Sequence, residues 1–280
     1  MLRQRRERRL TSPCIRRLPA AEGGTRRVRG VLAALALAAC ADSDAAPGAG
    51  AVTSRCELPE PTVLRREGGA VLQVYVLVAD PIWESGTLPE APGYLAYRDT
   101  MRAAGADRAR PLSDPPRPAS EAEEKMWAGE AANVDLMFSD AGEVRRIRCL
   151  EAALFALQDA RHSQLTRPTE FIAHLLRRGD SLRVYFGAGD AMFPPRAVYG
   201  LAEVTADVAA GWTYGVVLHN HTLLGWNGRL ALGVPAPSTS DVQLFRGLVE
   251  ELGLREVWVT NGMYTGVVRA GELGRFHSRE

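Results

Sequence analysis

The sequence predicts an α/β (α+β) fold, a mixed, curved β-sheet with flanking helices. Three observations carry that expectation. Val71 to Ala79, VLQVYVLVA, is a β-branched and aromatic run of the kind that forms a buried strand. Glu170 to Leu176 and Ser181 to Phe186 are short apolar runs flanking Arg178-Gly179-Asp180, a hairpin signal. Asp241 to Leu252 puts Val242, Phe245, Leu248, Val249 and Leu252 on one helical face, with Gly253 as the stop.

The chain has 280 residues, is 46% hydrophobic and carries a formal net charge of +1. That apolar content suits a buried core, and the length allows one large domain or two small ones. The charge is unevenly spread. Residues 1–39 hold ten Arg against Glu7 and Glu22, a net of +8, which leaves the remainder at −7. An acidic body lacks the electrostatic footprint of a nucleic-acid binder, so no nucleic-acid partner is expected.

Residues 1–39 read as a signal peptide. Arg26-Arg27-Val28-Arg29 forms a positive n-region, and the nine-residue apolar run Val31 to Ala39 is too short to span a bilayer. It ends in Leu37-Ala38-Ala39-Cys40, which resembles the lipobox of bacterial lipoproteins. In that resemblance Cys40 is lipidated and anchors an extracytoplasmic protein to a membrane, with Ala41 favouring the outer one. A plain secretory signal with an incidental cysteine is the alternative. Export leaves Cys56 and Cys149 as the pair in the mature chain, either a disulfide or two free thiols.

Residues 40–56 form the lipidated cysteine and a flexible tether, and 57–149 an N-terminal part packed onto the same domain as 150–280. Asp80 to Gly93 reads as loop, Tyr94 to Ala104 as a short helix, and Arg108 to Ser120, with four prolines, as irregular. Glu121 to Ala132 reads as a helix with Trp127 on its buried side. Val134 to Phe138 and Val144 to Cys149 flank Ser139-Asp140-Ala141-Gly142 as a hairpin, and Leu150 to Arg161 carries a helical stripe. Val198 to Val204 and Trp212 to Leu218 read as strands. Glu256 to Thr260 and Tyr264 to Val268 close the domain as a hairpin across Asn261-Gly262-Met263. Arg178-Gly179-Asp180 also spells the integrin tripeptide, but at a hairpin tip it is turn chemistry.

The strand from Trp212 delivers His219 and His221. Residues i and i+2 of a strand share a face, so both imidazoles aim at one point. Asp241, in the first turn of the next helix, is a third donor, and two imidazoles with a carboxylate make a zinc set with an open fourth position. A bound ion would activate water, given a general base and an oxyanion donor. Each piece has a plain structural alternative. Histidines at i and i+2 also occur as surface or core residues, and Ser238-x-x-Asp241 is also a helix N-cap pattern. Glu170 is also readable as a strand-end carboxylate, with Glu203 as its rival. His162, His174 and His277 have no partner pattern.

His219-x-His221 followed by Ser238-x-x-Asp241 resembles the motif of the JAB1/MPN (JAMM) metalloproteases, and His219-Asn220-His221 with Pro235-Ala236-Pro237-Ser238 is similar to their bacterial RadC-like branch. The resemblance covers roughly residues 150–268. It implies a cytidine-deaminase-like sheet, Glu170 as general base, His219, His221 and Asp241 as Zn2+ ligands, and Ser238 as support for the tetrahedral intermediate. The chain departs from the family at Thr222, where proline is common, and in the nineteen residues from Thr222 to Ser240, where ten are usual. The longer loop makes Trp226 a candidate substrate contact. The function expected from the resemblance is a zinc-dependent hydrolase of peptide or isopeptide bonds. The alternatives are a non-catalytic MPN-like scaffold and a RadC-like role near DNA, the latter opposed by the leader and the acidic body.

Overall fold

A computed structural model describes residues 57–103, 120–191, 194–221 and 233–279. The leader, Cys40, the tether with Cys56, most of the proline-rich segment, and Thr222 with Trp226 lie outside these residues. Eight strands form one sheet in the order β1-β2-β5-β4-β6-β7-β8-β3. They are β1 (Thr62–Glu67), β2 (Ala70–Val78), β3 (Glu143–Arg146), β4 (Phe171–Arg178), β5 (Ser181–Ala188), β6 (Thr213–Asn220), β7 (Glu256–Thr260) and β8 (Tyr264–Arg269). The helices are α1 (Ile82–Ser85), α2 (Pro92–Ala103), α3 (Glu121–Met137), α4 (Cys149–Arg161), α5 (Leu201–Ala209) and α6 (Thr239–Leu252). Among the described residues no helix is long and apolar enough to cross a membrane.

β4 sits near the middle of the sheet, and its first six residues are all buried. Alternation along it feeds two cores. Phe171, Ala173 and Leu175 join the core under α2 and α4, while Ile172 and Leu176 join the core under α5 and α6. α4 is buried almost all round, as suits a helix between a sheet and a second helix layer. Its Phe155 takes the rings of Tyr94 and Tyr97 at centroid distances of 5.8 and 4.8 Å. The two tyrosine hydroxyls then donate to the carbonyls of Gly262 and Asn261 in the β7–β8 turn. Gly262 has φ +80°, and a Cβ there would lie 2.6 Å from the Phe155 ring, so the turn tolerates only glycine.

β6 and β7 run parallel, joined through α6, whereas the other neighbouring strands pair antiparallel. The carboxyl end of β6 and the N-terminus of α6 therefore open on the same side of the sheet. In open α/β sheets ligands bind outside the carboxyl ends of strands.

Two expected elements are corrected. Val134 to Phe138 is not the first arm of a hairpin; it continues α3, and β3 pairs instead with β8 at the sheet edge. The Ser120 side chain caps α3 by accepting the Glu123 N–H at 3.2 Å. Asn133 and Met137, four residues apart, then face inward together, and that tertiary contact overrides the apolar alternation. Val198 to Val204 is not a strand either. Gly200, at φ +72°, breaks a 3-10 turn at Arg196–Val198 from α5, whose Leu201, Val204 and Val208 meet the sheet at helical spacing. Trp127 is half-buried, and the buried side of α3 is carried by Asn133 and Met137. The Asp80 to Gly93 loop contains the single turn α1. The unforeseen β1 is an exposed, charged edge strand turned into β2 by Gly68-Gly69.

Cys149 is disulfide-bonded, and the other three cysteines lie outside the described residues. β1, β2, β3 and α3, all from the chain before residue 150, belong to the same sheet and core as the rest.

Candidate metal centre

His219 lies in the last residues of β6 and His221 directly follows the strand, their rings 5.2 Å apart and nearly perpendicular. Each is oriented by a backbone carbonyl. His219 Nδ1 lies 2.9 Å from the Phe171 oxygen, and His221 Nδ1 lies 2.9 Å from the Val234 oxygen. A carbonyl only accepts, so both Nδ1 atoms carry the proton and both Nε2 atoms point into the site. Ligating histidines are oriented in this way by carbonyl or carboxylate acceptors.

Asp241 meets them from α6. Its Oδ2 lies 3.0 Å from His221 Nε2, and its Oδ1 lies 3.8 Å from His219 Nε2. One donor atom from each of the three residues falls within 4.8 Å of the others. Tetrahedral ligands about 2.0–2.1 Å from an ion sit roughly 3.3 Å apart, which those two distances bracket. The group can hold a metal ion.

Ser238 and Asp241 also form a capping box. Ser238 Oγ accepts the Asp241 N–H at 3.1 Å, and Asp241 Oδ2 accepts the Ser238 N–H at 2.9 Å. One carboxylate thus closes the first turn of α6 and faces the histidines. Burial opposes its charge, but His219, His221 and the Ser238 side chain hold its carboxyl well below the usual range. Burial likewise opposes a charged His221, yet the hydrogen bond and charge of Asp241 raise it to about 9.

Glu170 precedes β4 by one residue and is buried, with Oε2 3.7 Å from His219 Nε2. That is too long for a direct hydrogen bond. Burial pushes its carboxyl up, with Asp241 adding to the rise and the two histidines opposing it. Glu203, its rival, instead pairs with Arg65 at 2.8 Å. His174 is fully buried against the Tyr214 hydroxyl, and burial lowers it to about 4, so it stays neutral. His277 and His162 lie outside the cluster.

The centre opens into a cleft of about 770 Å³ that Glu170, His219, His221, Ser238 and Asp241 line together with Tyr199. No family model, curated protein or solved structure matches this chain.

Several of the residues that set this geometry carry no motif. Asn220, between the histidines, points to the other side of the strand. Its Oδ1 accepts the Phe171 N–H at 2.6 Å and its Nδ2 donates to the Thr169 oxygen at 3.1 Å, which fixes the backbone on both sides of Glu170. Glu130 of α3 accepts both the N–H and the hydroxyl of Thr239, at 3.0 and 2.8 Å. Asn133 donates to the Pro237 and His277 carbonyls and accepts the His277 N–H. α3 thereby holds the segment that leads into Ser238. A signal for Asn220 did exist, because asparagine is depleted in strands and one buried at a strand end has a local bonding task.

Proposed function

We propose that the chain is a zinc-dependent hydrolase of amide bonds, a peptidase or isopeptidase of the JAMM type. The observation that carries this reading is the placement of Glu170, a buried carboxylate of raised pKa, 3.7 Å from the Nε2 of a histidine in the metal-ligating group. A borderline-soft ion such as Zn2+ suits a two-imidazole, one-carboxylate set, and when bound it supplies a Lewis acid that brings the pKa of water towards neutrality.

The remaining work falls to the protein. His219 and His221 present Nε2 because their Nδ1 protons are committed to Phe171 and Val234. Glu170 accepts the proton of the attacking water on Oε2, and its desolvated carboxyl is basic enough to hold it. It then returns that proton to the leaving amine. Ser238 Oγ accepts the Asp241 N–H and shares a 3.2 Å hydrogen bond with Ser240 Oγ; with Ser240 as the donor there, the Ser238 hydroxyl proton donates to a developing oxyanion. The test is a metal assay and a peptide-hydrolysis assay on wild type and Glu170→Gln. A hydrolase keeps about one zinc in both and loses about 10²–10⁴-fold in rate in the variant; zinc-free protein or unchanged rates would refute it.

The capping box favours a second reading. Ser238 and Asp241 have a structural role in starting α6 that needs no chemistry, as in a non-catalytic MPN-like scaffold. We also propose that the protein is exported and lipid-anchored through Cys40. The disulfide at Cys149 supports an oxidising compartment, and a mature N-terminus other than an acylated Cys40 in mass spectrometry would exclude the anchor.

A further inference from the structure

The cleft beside the metal-ligating group has a basic rim. Arg196, on the 3-10 turn after β5, and Arg279, in the C-terminal segment, both line it. Both are exposed, and neither side chain has an ion-pair or hydrogen-bond partner among the described residues. Elsewhere Arg65, Arg145, Arg183 and Arg275 each hold a carboxylate. Arg279 is held in place through its backbone, whose N–H donates to the Thr239 oxygen at 3.0 Å, in the first turn of the helix that carries Asp241. Arg196 lies three residues before Tyr199, a half-buried residue that lines the same cleft. Ile172, Leu244 and Phe245 supply apolar wall.

We propose that the cleft selects an acidic amide substrate, a short peptide or isopeptide segment bearing a carboxylate beside the scissile bond, and that Arg196 and Arg279 are its specificity-determining residues. The proposal rests on the hydrolase reading for the presence of a scissile bond. Its physical basis is simple: an unpaired guanidinium at a cleft mouth gains a charge-assisted hydrogen bond from a carboxylate and a weaker one from a carboxamide. A volume of about 770 Å³ is in the range that accepts a ligand of a few residues.

The test is calorimetric titration of zinc-loaded Glu170→Gln protein with capped tetra-alanine peptides carrying Glu, or its neutral isostere Gln, at each position in turn. Tighter binding of the Glu peptide by about tenfold at one position is expected, the difference between charged and neutral hydrogen bonding. That preference disappears in the Arg196→Gln/Arg279→Gln double variant and is partly restored by Arg196→Lys/Arg279→Lys, while the melting temperatures stay together. Equal binding of the two series, no binding of either, or a Glu preference that survives loss of both arginines overturns the proposal. The two readings fail separately. Glu peptides that bind at the rim but are never cleaved by the wild type refute hydrolysis alone, and neutral peptides cleaved as fast as acidic ones refute the specificity alone.

Discussion

Asp241 Oδ2 lies 3.0 Å from His221 Nε2 while accepting the Ser238 N–H at 2.9 Å. A single oxygen thus serves both the start of α6 and the ligating group, so folding of the helix and assembly of the site are coupled through it. Asparagine keeps an acceptor at this position but gives up the charge.

Asp241→Asn is therefore expected to retain most of the helix cap, at a cost to the cap of about 1 kcal/mol or less, while losing the charge that raises His221. Its zinc affinity should fall by at least about 10–100-fold. Asp241→Ala should lose both. Competition with a chelator, alongside thermal melting, separates the two effects.

The empty site and the loaded site should respond to pH in opposite senses. In the metal-free protein His221 is raised from 6.5 to about 9. Its contribution is fully present below pH 6.5 and is lost as pH rises through about 9. Asp241 is depressed below 3.8, so its contribution is present above that value and is lost as pH falls further. Metal-free protein should accordingly be most stable between these limits and melt earlier towards pH 9. Metal binding must displace the His221 proton, so affinity should rise by about tenfold per pH unit up to that point. A metal-free melting temperature that climbs from pH 6.5 to 9 would contradict the His221–Asp241 pairing.

Ser238→Ala removes the acceptor that caps α6 and should cost about 0.5–2 kcal/mol whatever the protein does. If Ser238 also supports an oxyanion, turnover below the melting transition falls by about 10²-fold with little change in KM. Lost stability with unchanged turnover would confine Ser238 to the cap.

Glu130 reaches the site from a helix earlier in the chain, accepting from both the N–H and the hydroxyl of Thr239. Glu130→Ala should destabilise by about 1.5–3 kcal/mol, as for hydrogen bonds to a charged group. A positioning role predicts weaker zinc binding as well, rescued in part by Glu130→Gln. An ordinary stability mutant would leave affinity at low temperature unchanged.

At Gly266 an added Cβ would lie 1.8 Å from the Pro235 oxygen. Gly266→Ala must push away the Val234–Pro235 backbone, and with it the carbonyl that orients His221. Reduced zinc affinity is the expected readout, with β7 and β8 still paired by amide exchange.

Much of the site was legible because local periodicity links residues within one element. A period of two places His219 and His221 on one face of β6, and Ser238-x-x-Asp241 before an amphipathic stripe marks the start of α6. The misread stretches failed for a shared reason. Val134 to Phe138 and Val198 to Val204 have short apolar spacings compatible with either strand or helix, and distant packing chose helix in both.

Chain order and spacing were enough to mark which side chains could bind a metal. The choice of Glu170 over Glu203 was not available there, because it depends on β4 pairing with β6 and on Asn220 tying down the backbone around Glu170. Nor were the carbonyls of Phe171 and Val234 that commit each Nδ1 proton, or the brace that α3 lays against Thr239. Those are contacts between residues from 13 to 109 positions apart. No local preference encodes such distances, since they arise when the two cores close on opposite faces of one sheet.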